Sequence, residues 1–123
     1  MKIVLTAAAP TLEAAADPRF GRAAYLLVVD SETNACEAYP NIAIHASGGA
    51  GIQAAQFIAG LGVQAAISGD FGPNAFDALQ AAEIAMYLYG DCQRVPQALE
   101  RFKAGQLQQA GTATRDGHHG RSA

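Results

Sequence analysis

The chain has 123 residues, of which 50% are apolar and 15% are charged, and its formal net charge is −3 at pH 7. This length suits one folded domain, and this apolar content excludes a disordered chain. The acidic balance gives no general attraction to nucleic acid or to an anionic membrane surface, so any anion site has to be local.

No apolar run approaches the roughly 20 residues that a membrane-spanning helix needs, and the run after Met1 is too short for a signal peptide. We therefore expect a cytoplasmic protein. The two cysteines, Cys36 and Cys92, lie far apart in sequence. They form no CxxC motif, and one chain cannot supply four thiolates to a cluster.

Three short apolar runs predict the first half of a sheet. Residues 2–8 are typical of a buried central strand, and residues 24–30 and 35–39 of two further strands. Because the turn between the second and third strands is short, these two should form an antiparallel hairpin. Residues 9–22, which contain prolines and a glycine without clean periodicity, are predicted to be a loop.

The second half of the chain alternates predicted helices and strands. Helices are expected at about residues 49–60, 74–82 and 96–104, and strands at residues 63–68 and 84–89. Strands joined through helices pair in parallel by right-handed crossovers, so the sequence predicts an α/β fold with a mixed sheet. The buried face of the first helix should carry Ile52, Ala55, Ile58 and Ala59. We place the domain at residues 1–105 and a flexible, glycine- and histidine-containing tail at residues 106–123.

Two glycine-rich turns precede the first two helices and should bring both helix N-termini near one edge of the sheet. Glycine lets the backbone turn sharply, and the first N–H groups of a helix have no intrahelical acceptor and carry partial positive charge. Such a pair can hold an anion, although most turns of this kind only join a strand to a helix. The residues that would face the anion are Gly48, Gly49, Gly51, Gly69, Gly72 and Asn74. Asp70, which would repel it, is expected to cap the second helix or to face solvent.

The loop before the second strand ends in Asp17-Pro18-Arg19-Phe20-Gly21-Arg22. Arg19 and Arg22 flank an aromatic residue and a glycine. This arrangement can bind an oxyanion or a sulfur-rich anion through the two guanidinium groups. The alternative interpretation is a pair of solvated surface arginines.

Four further residues are candidate metal ligands. His45 precedes the first glycine-rich turn, and Cys92 follows the last predicted strand, on the presumed side of the sheet where both turns lie. His118 and His119 are adjacent in the tail and could bind a soft metal. Each has an alternative without a metal. His45 could be a surface or packing residue, Cys92 an unreactive loop thiol, and the His118–His119 pair incidental.

Three segments together carry a resemblance to a known family: RFGRAAYLLVVD at residues 19–30, GGAGIQAAQFIAGLGVQAAISGDFGPNAFDAL at residues 48–79, and IAMYLYG at residues 84–90. They resemble the dinitrogenase iron-molybdenum cofactor biosynthesis family, also called nitrogenase accessory factor-like proteins. The resemblance covers about residues 1–105, and the GHHG ending at residues 117–120 is also similar. It implies a ribonuclease-H-like fold, in which a five-stranded mixed sheet has helices on both faces.

The resemblance implies a carrier or scaffold for a metal-sulfur cluster and not an enzyme. Family members bind iron-molybdenum cofactor precursors, and similar proteins hold molybdenum-copper-sulfide clusters or store iron and sulfide. We therefore expect an iron-sulfur or molybdenum-iron-sulfur cluster as cargo, and cofactor-assembly or nitrogenase-type proteins as partners. Arg19, Phe20, Gly21 and Arg22 match the family's FGR turn. Members often have histidine at position 19, so the arginine here favours electrostatic retention of a cluster over direct ligation.

Two other functions remain open: a phosphate- or nucleotide-binding regulatory module, and a docking domain without bound metal. The fold name also suggests a nuclease, but that chemistry needs several carboxylates around two metal ions, one of them on the first strand. Residues 2–8 contain none. Nucleophilic catalysis is equally unsupported, because no serine lies in a nucleophile elbow.

Overall fold

A computed structural model of the chain describes residues 1–111. The strands are β1 (Lys2–Ala7), β2 (Tyr25–Asp30), β3 (Cys36–Pro40), β4 (Ala65–Ser68) and β5 (Ala85–Leu88). The helices are α1 (Ala50–Gly60), α2 (Pro73–Ala81) and α3 (Val95–Lys103), with a short 3-10 helix at Ile42–His45. The predicted elements are present with bounds shifted by one or two residues, and the 3-10 helix is an addition.

The described strands form one five-stranded sheet in the order β3-β2-β1-β4-β5. β2 pairs antiparallel with both β1 and β3, whereas β1 pairs parallel with β4 and β4 with β5. The prediction of a mixed sheet is therefore confirmed. Because β1 and β4 run in parallel, their carboxyl ends meet at one edge, which is where ligands bind in open α/β sheets.

The sheet has a hydrophobic core on each face. Val4 packs toward α1 and α2, while its neighbours Ile3 and Leu5 pack toward α3. This alternation follows from the two-residue period of a strand, and it explains why consecutive β1 residues from Ile3 to Leu5 are all apolar. The result is a three-layer arrangement with α1 and α2 on one face and α3 on the other.

The buried face of α1 differs in part from the predicted one. Ala55 and Ile58 are buried as expected, but Ala59 is exposed, so that part of the prediction is wrong. The helix instead buries Ala50 and Ala54, which lie on one stripe with Ile58 at four-residue spacing. Ala50, Ala54 and Ile58 belong to the core that α1 shares with α2 and one face of the sheet.

The chain after α3 returns to the sheet before the described residues end. The N–H of Leu88 donates to the carbonyl of Gln108 at 2.9 Å, and the N–H of Ala110 donates to that of Met86 at 2.8 Å. Residues 108–110, which the sequence assigns to the tail, thus pair with the outer edge of β5. Residues 112–123 of the predicted tail, with His118 and His119, lie outside the described residues. Among residues 1–111, no helix is long and apolar enough to cross a membrane.

Candidate anion-binding site

A cleft of about 330 Å³ lies where α1 and α2 begin, beside the carboxyl ends of β1 and β4. Three segments line it: residues 19–22, residues 49–51, and the second glycine-rich turn with the start of α2, at Asp70 and residues 72–75. We call residues 17–24 the Arg loop. The tertiary structure therefore brings together both predicted helix starts and both predicted arginines.

Both helices that begin at the cleft have glycine at the N-cap. Gly49 caps α1 in the left-handed region, at φ 72° and ψ 22°, and Gly72 caps α2 in an extended conformation. In the described chain neither helix has a side-chain cap hydrogen bond or an acidic residue in its first turn. Their first N–H groups therefore remain available to a ligand or to water.

The two helix starts lie side by side because glycines permit close backbone contact. A Cβ atom on Gly21 would lie 2.8 Å from the backbone nitrogen of Gly51, and one on Gly51 would lie 2.9 Å from the Cβ of Ala75. Side chains larger than hydrogen would separate the Arg loop from α1, and α1 from α2. The cleft thus depends on the absence of side chains at these positions.

Gly69 has a different role from the predicted one. A Cβ atom on Gly69 would lie 2.6 Å from the Cβ of Pro18, and the N–H of Asp70 donates to the Pro18 carbonyl at 2.8 Å. Gly69 does not line the cleft, and neither does Gly48. The small size of Gly69 instead allows the Arg loop to cross the end of β4.

Buried polar side chains fasten the Arg loop to the sheet. Among residues 1–111 the buried polar or charged residues are Thr6, Asp17, Asn41 and Ser68. Thr6 Oγ1 donates to the Asp17 carbonyl at 2.5 Å, and Ser68 Oγ donates to the Pro18 carbonyl at 3.3 Å. Buried polar groups cost free energy unless they are hydrogen-bonded, so their concentration here specifies the loop conformation.

A tyrosine extends this network beneath the loop. The hydroxyl of Tyr89 donates to the carbonyl of Thr6 at 2.6 Å. Burial raises the pKa of Tyr89 well above its ordinary value, so the phenol stays protonated and remains a donor. Tyr89 thus joins the end of β5 to the end of β1 under the Arg loop.

The carboxylate of Asp17 closes the Arg loop at both ends. Oδ1 accepts from the backbone N–H of Arg19 at 3.2 Å and from its Nε at 3.4 Å. Oδ2 accepts from the N–H of Ala24 at 3.3 Å. The Asp17 side chain is 9% exposed and that of Arg19 is 60% exposed, so a buried anion orients an arginine at the rim of the cleft.

The end of the 3-10 helix holds the side chain of Arg22. Its Nη1 donates to the carbonyl oxygens of Ile44 at 2.9 Å and Ala46 at 3.0 Å. A guanidinium group has five N–H donors, so Arg22 keeps further donors that can bind a guest in the cleft. The arginine is therefore both oriented and chemically available.

Two buried aromatic rings lie under the cleft. Phe20 of the Arg loop and Phe71 of the second turn have ring centroids 5.3 Å apart and are almost completely buried. This contact ties the two loops together and gives the cleft an apolar base.

The predicted capping of α2 by Asp70 is wrong. Gly72 is the N-cap, and Asp70 instead lines the cleft, where it is half-buried.

The predicted metal ligands do not gather at the cleft. Cys92 is 6% exposed, packs in the core under α3 and does not line the cleft, so it is not placed to ligate a guest there. His45 is exposed at the end of the 3-10 helix and does not line the cleft. Within residues 1–111, no three His, Cys, Asp or Glu side chains group to hold a metal ion.

Cys36, the other thiol, lies half-buried on the edge strand β3. Burial and the neighbouring Glu37 raise the pKa of its thiol. A raised pKa disfavours the thiolate, which is the form that ligates metals. The described thiols are therefore poorly placed for cluster ligation.

Most of the predicted cleft residues do meet. The residues that line the cleft as predicted are Arg19, Phe20, Gly21, Arg22, Gly49, Gly51, Gly72 and Asn74. Sequence reasoning missed Asp17 and Asn41, which bind the Arg loop from beneath. An aspartate before a proline and an asparagine before a short helix are local signals that could have indicated both.

Comparisons with known proteins agree with this architecture. Residues 1–105 match the family model described as dinitrogenase iron-molybdenum cofactor. The apo structure of the orange protein from Desulfovibrio gigas is 43% identical, with a TM-score of 0.87 over 92% of this chain and 95% of that one. Among curated proteins, none matches the chain significantly.

Two further structures are similar. A Thermotoga protein of the DUF35 family is 29% identical, with a TM-score of 0.81 over 94% of this chain and 98% of that one. A Methanocaldococcus jannaschii protein is 15% identical, with a TM-score of 0.68 over 91% and 96% of the two chains, and supports the fold alone. With a family model that spans most of its length, the chain belongs to the dinitrogenase iron-molybdenum cofactor family.

Proposed function

We propose that this chain is a small carrier, and not an enzyme, that holds an anionic metal-sulfur cluster in the cleft during cofactor assembly, transfer or storage. Membership of an iron-molybdenum cofactor family supports a role in cofactor assembly. The observation that carries the proposal is the meeting of two glycine-capped helix N-termini with Arg19 and Arg22 in one cleft.

The chemistry of the cleft suits a compact anion. Helix N-termini and guanidinium groups supply fixed positive charge and N–H donors, which bind negative groups without a covalent bond. Its volume of about 330 Å³ falls within the range of about 300–1,000 Å³ typical of small-molecule sites. An iron-sulfur or molybdenum-iron-sulfur cluster, whose sulfides carry negative charge, is the guest that the family supports.

Retention in this proposal is electrostatic, because the described cleft contains no cysteine or histidine. Noncovalent retention leaves the cluster free to be passed on. The donors and acceptors in this scheme are cofactor-assembly or nitrogenase-type proteins, and the setting is the cytoplasm. Asp70 at the cleft wall offsets part of the arginine charge and would moderate the affinity.

Anaerobic mixing with tetrathiomolybdate, or with iron, molybdate and sulfide, tests the proposal. After desalting, retained metal, retained sulfide and visible absorbance are expected in the wild-type protein. Arg19→Gln combined with Arg22→Gln should lower retention, while Cys92→Ser, the matched control on the opposite face, should not. The reverse ranking would assign retention to the thiolate, and absence of metal from the wild-type protein would refute the carrier role.

A phosphate- or nucleotide-binding regulatory module is the second candidate. It is favoured by the lack of soft metal donors in the described cleft, since phosphate needs only N–H groups and cations. A ligand that binds only the folded state raises the unfolding temperature. Stabilisation by a nucleoside triphosphate without retention of thiomolybdate would establish this function over the first.

A further inference from the structure

Asn41 is a buried side chain, 4% exposed, that lies between the Arg loop and the 3-10 helix. Its Nδ2 donates to the carbonyl oxygens of Gly21 at 3.2 Å and of Ala23 at 2.9 Å. These carbonyls belong to the residues immediately before and after Arg22. The Asn41 side chain therefore fixes the backbone on both sides of an arginine that lines the cleft.

The same side chain also fixes the segment that holds the Arg22 guanidinium. Oδ1 of Asn41 accepts from the N–H of Ala43 at 3.1 Å and so caps the 3-10 helix. Arg22 Nη1 in turn donates to the carbonyl oxygens of Ile44 and Ala46, at the end of that helix. Asn41 thus holds the backbone of Arg22 and also the helix that receives its side chain.

This position needs the particular chemistry of an asparagine. The side-chain amide offers two N–H donors on one atom and an acceptor on the other, which matches the two carbonyls and the one N–H around it. Aspartate would place a carboxylate oxygen against two carbonyl oxygens. Serine would keep a helix cap but would not supply two donors.

We propose that Asn41 is a positioning residue of the cleft, which sets the location and direction of the Arg22 guanidinium and acts on a bound anion only through Arg22. The inference rests on the proposed function, since it concerns the same cleft. Asn41 is not among the described residues that line the cleft, so its effect on a guest has to be indirect.

A double-mutant cycle on the full-length protein tests the inference, with tetrathiomolybdate as the probe. Arg22→Gln and Asn41→Ser should each weaken binding by about tenfold, the size expected for loss of a hydrogen bond to a charged group. In the Arg22→Gln background, Asn41→Ser should change the affinity less than about twofold, because coupled residues are not additive. Asn34→Ser, in the turn between β2 and β3 away from the cleft, is the control for a general loss of stability.

Additive losses in the cycle would mean that Asn41 acts through the fold in general, and this would overturn the inference. A second measurement uses the unsubstituted protein, so it can refute the inference even where a variant does not fold. In NMR spectra, the Asn41 side-chain amide protons should exchange slowly with water, and the Arg22 Nε resonance should shift when the probe is added. Fast exchange of that amide would also refute the inference.

The carrier function and the positioning role of Asn41 can be refuted separately. Absence of probe binding by the wild-type protein refutes the carrier function. Slow exchange of the Asn41 amide in the same sample would still show that Asn41 holds the backbone on both sides of Arg22. Binding that depends on Arg22 but not on Asn41 refutes only the positioning role. If Arg22→Gln binds the probe as tightly as the wild-type protein does, Arg22 does not hold the anion. The positioning role of Asn41, which acts through Arg22, is then refuted too.

Discussion

Gly21 lies directly against Gly51, so that a Cβ atom on Gly21 would fall 2.8 Å from the backbone nitrogen of Gly51. Gly51 is in equally close contact with Ala75 at the start of α2. Two helix N-termini and the Arg loop therefore meet because Gly21 and Gly51 carry only hydrogen where these segments cross. The cleft is made by close backbone packing as much as by charged groups.

Gly21→Ala should damage the cleft and the fold together. The added methyl group meets three backbone atoms of residues 50 and 51 at 2.8–3.1 Å, and overpacking of this kind costs about 1–3 kcal/mol. Urea unfolding should show this loss, and retention of tetrathiomolybdate should fall. Gly60→Ala is the matched control, because a Cβ there would have no described neighbour within 4 Å. Equal behaviour of the two variants would contradict the packing argument.

Asp17→Ala should loosen the Arg loop. The substitution leaves the N–H groups of Arg19 and Ala24 without their carboxylate partner, at a cost of about 1–3 kcal/mol. Urea unfolding measures the loss. Asp77→Ala, on the exposed side of α2, should be neutral or slightly stabilising. A smaller loss for Asp17→Ala than for Asp77→Ala would mean that Asp17 does not hold the loop.

The acid end of the stability profile should depend on Asp91. A hydrogen bond from Arg101 at 2.5 Å lowers the pKa of Asp91 below its ordinary value of 3.8. Folding therefore favours the charged carboxylate, so this contribution is present above the ordinary pKa and is lost as pH falls through the lower folded-state pKa. Both groups are well exposed, so the effect should be small.

Asp91→Asn should accordingly flatten the dependence of the urea midpoint on pH as the pH falls below the ordinary carboxyl pKa of 3.8. Arg101→Gln should give the same flattening, because it removes the other half of the pair. A wild-type slope in both variants would show that the pair contributes nothing to the acid transition.

The two thiols should differ in reactivity. Burial raises the pKa of Cys36, so its alkylation at neutral pH should be slow and should accelerate as pH rises. Cys92 is almost completely buried and should react with iodoacetamide only after unfolding. Mass spectrometry of native and urea-unfolded protein measures both. Faster labelling of Cys92 than of Cys36 in the native protein would contradict the described packing.

Two truncations should separate the end of the fold from the remaining tail. Ending the chain after Gly105 removes the two hydrogen bonds between residues 108–110 and β5, which should cost about 1–3 kcal/mol. Ending it after Gly111 keeps them and should leave the urea midpoint unchanged. Unchanged metal retention in the second truncation would also exclude His118 and His119 as ligands. Equal stability of both truncations would show that the pairing along β5 adds nothing.

Much of this fold could be predicted because its signals are local. The apolar run of β1, the short turn between β2 and β3, and the glycines before α1 and α2 each act over a few residues. The arginines and most cleft glycines could be named for the same reason. Cys92 could not be placed, since the end of a strand specifies an edge of the sheet and says nothing about which face a later residue packs against.

The amino-acid sequence by itself determined which strands and helices follow one another along the chain, and it showed the family resemblance. It also identified the arginines and glycine-rich turns that can bind an anion, because all of these depend on local pattern. Only the tertiary structure decided that Gly69 makes room for Pro18, that Cys92 is buried under α3, and that Asn41 spans the Arg loop and the 3-10 helix. These relationships join residues far apart in the chain, and their partners are chosen by packing and by the need to pair buried polar groups.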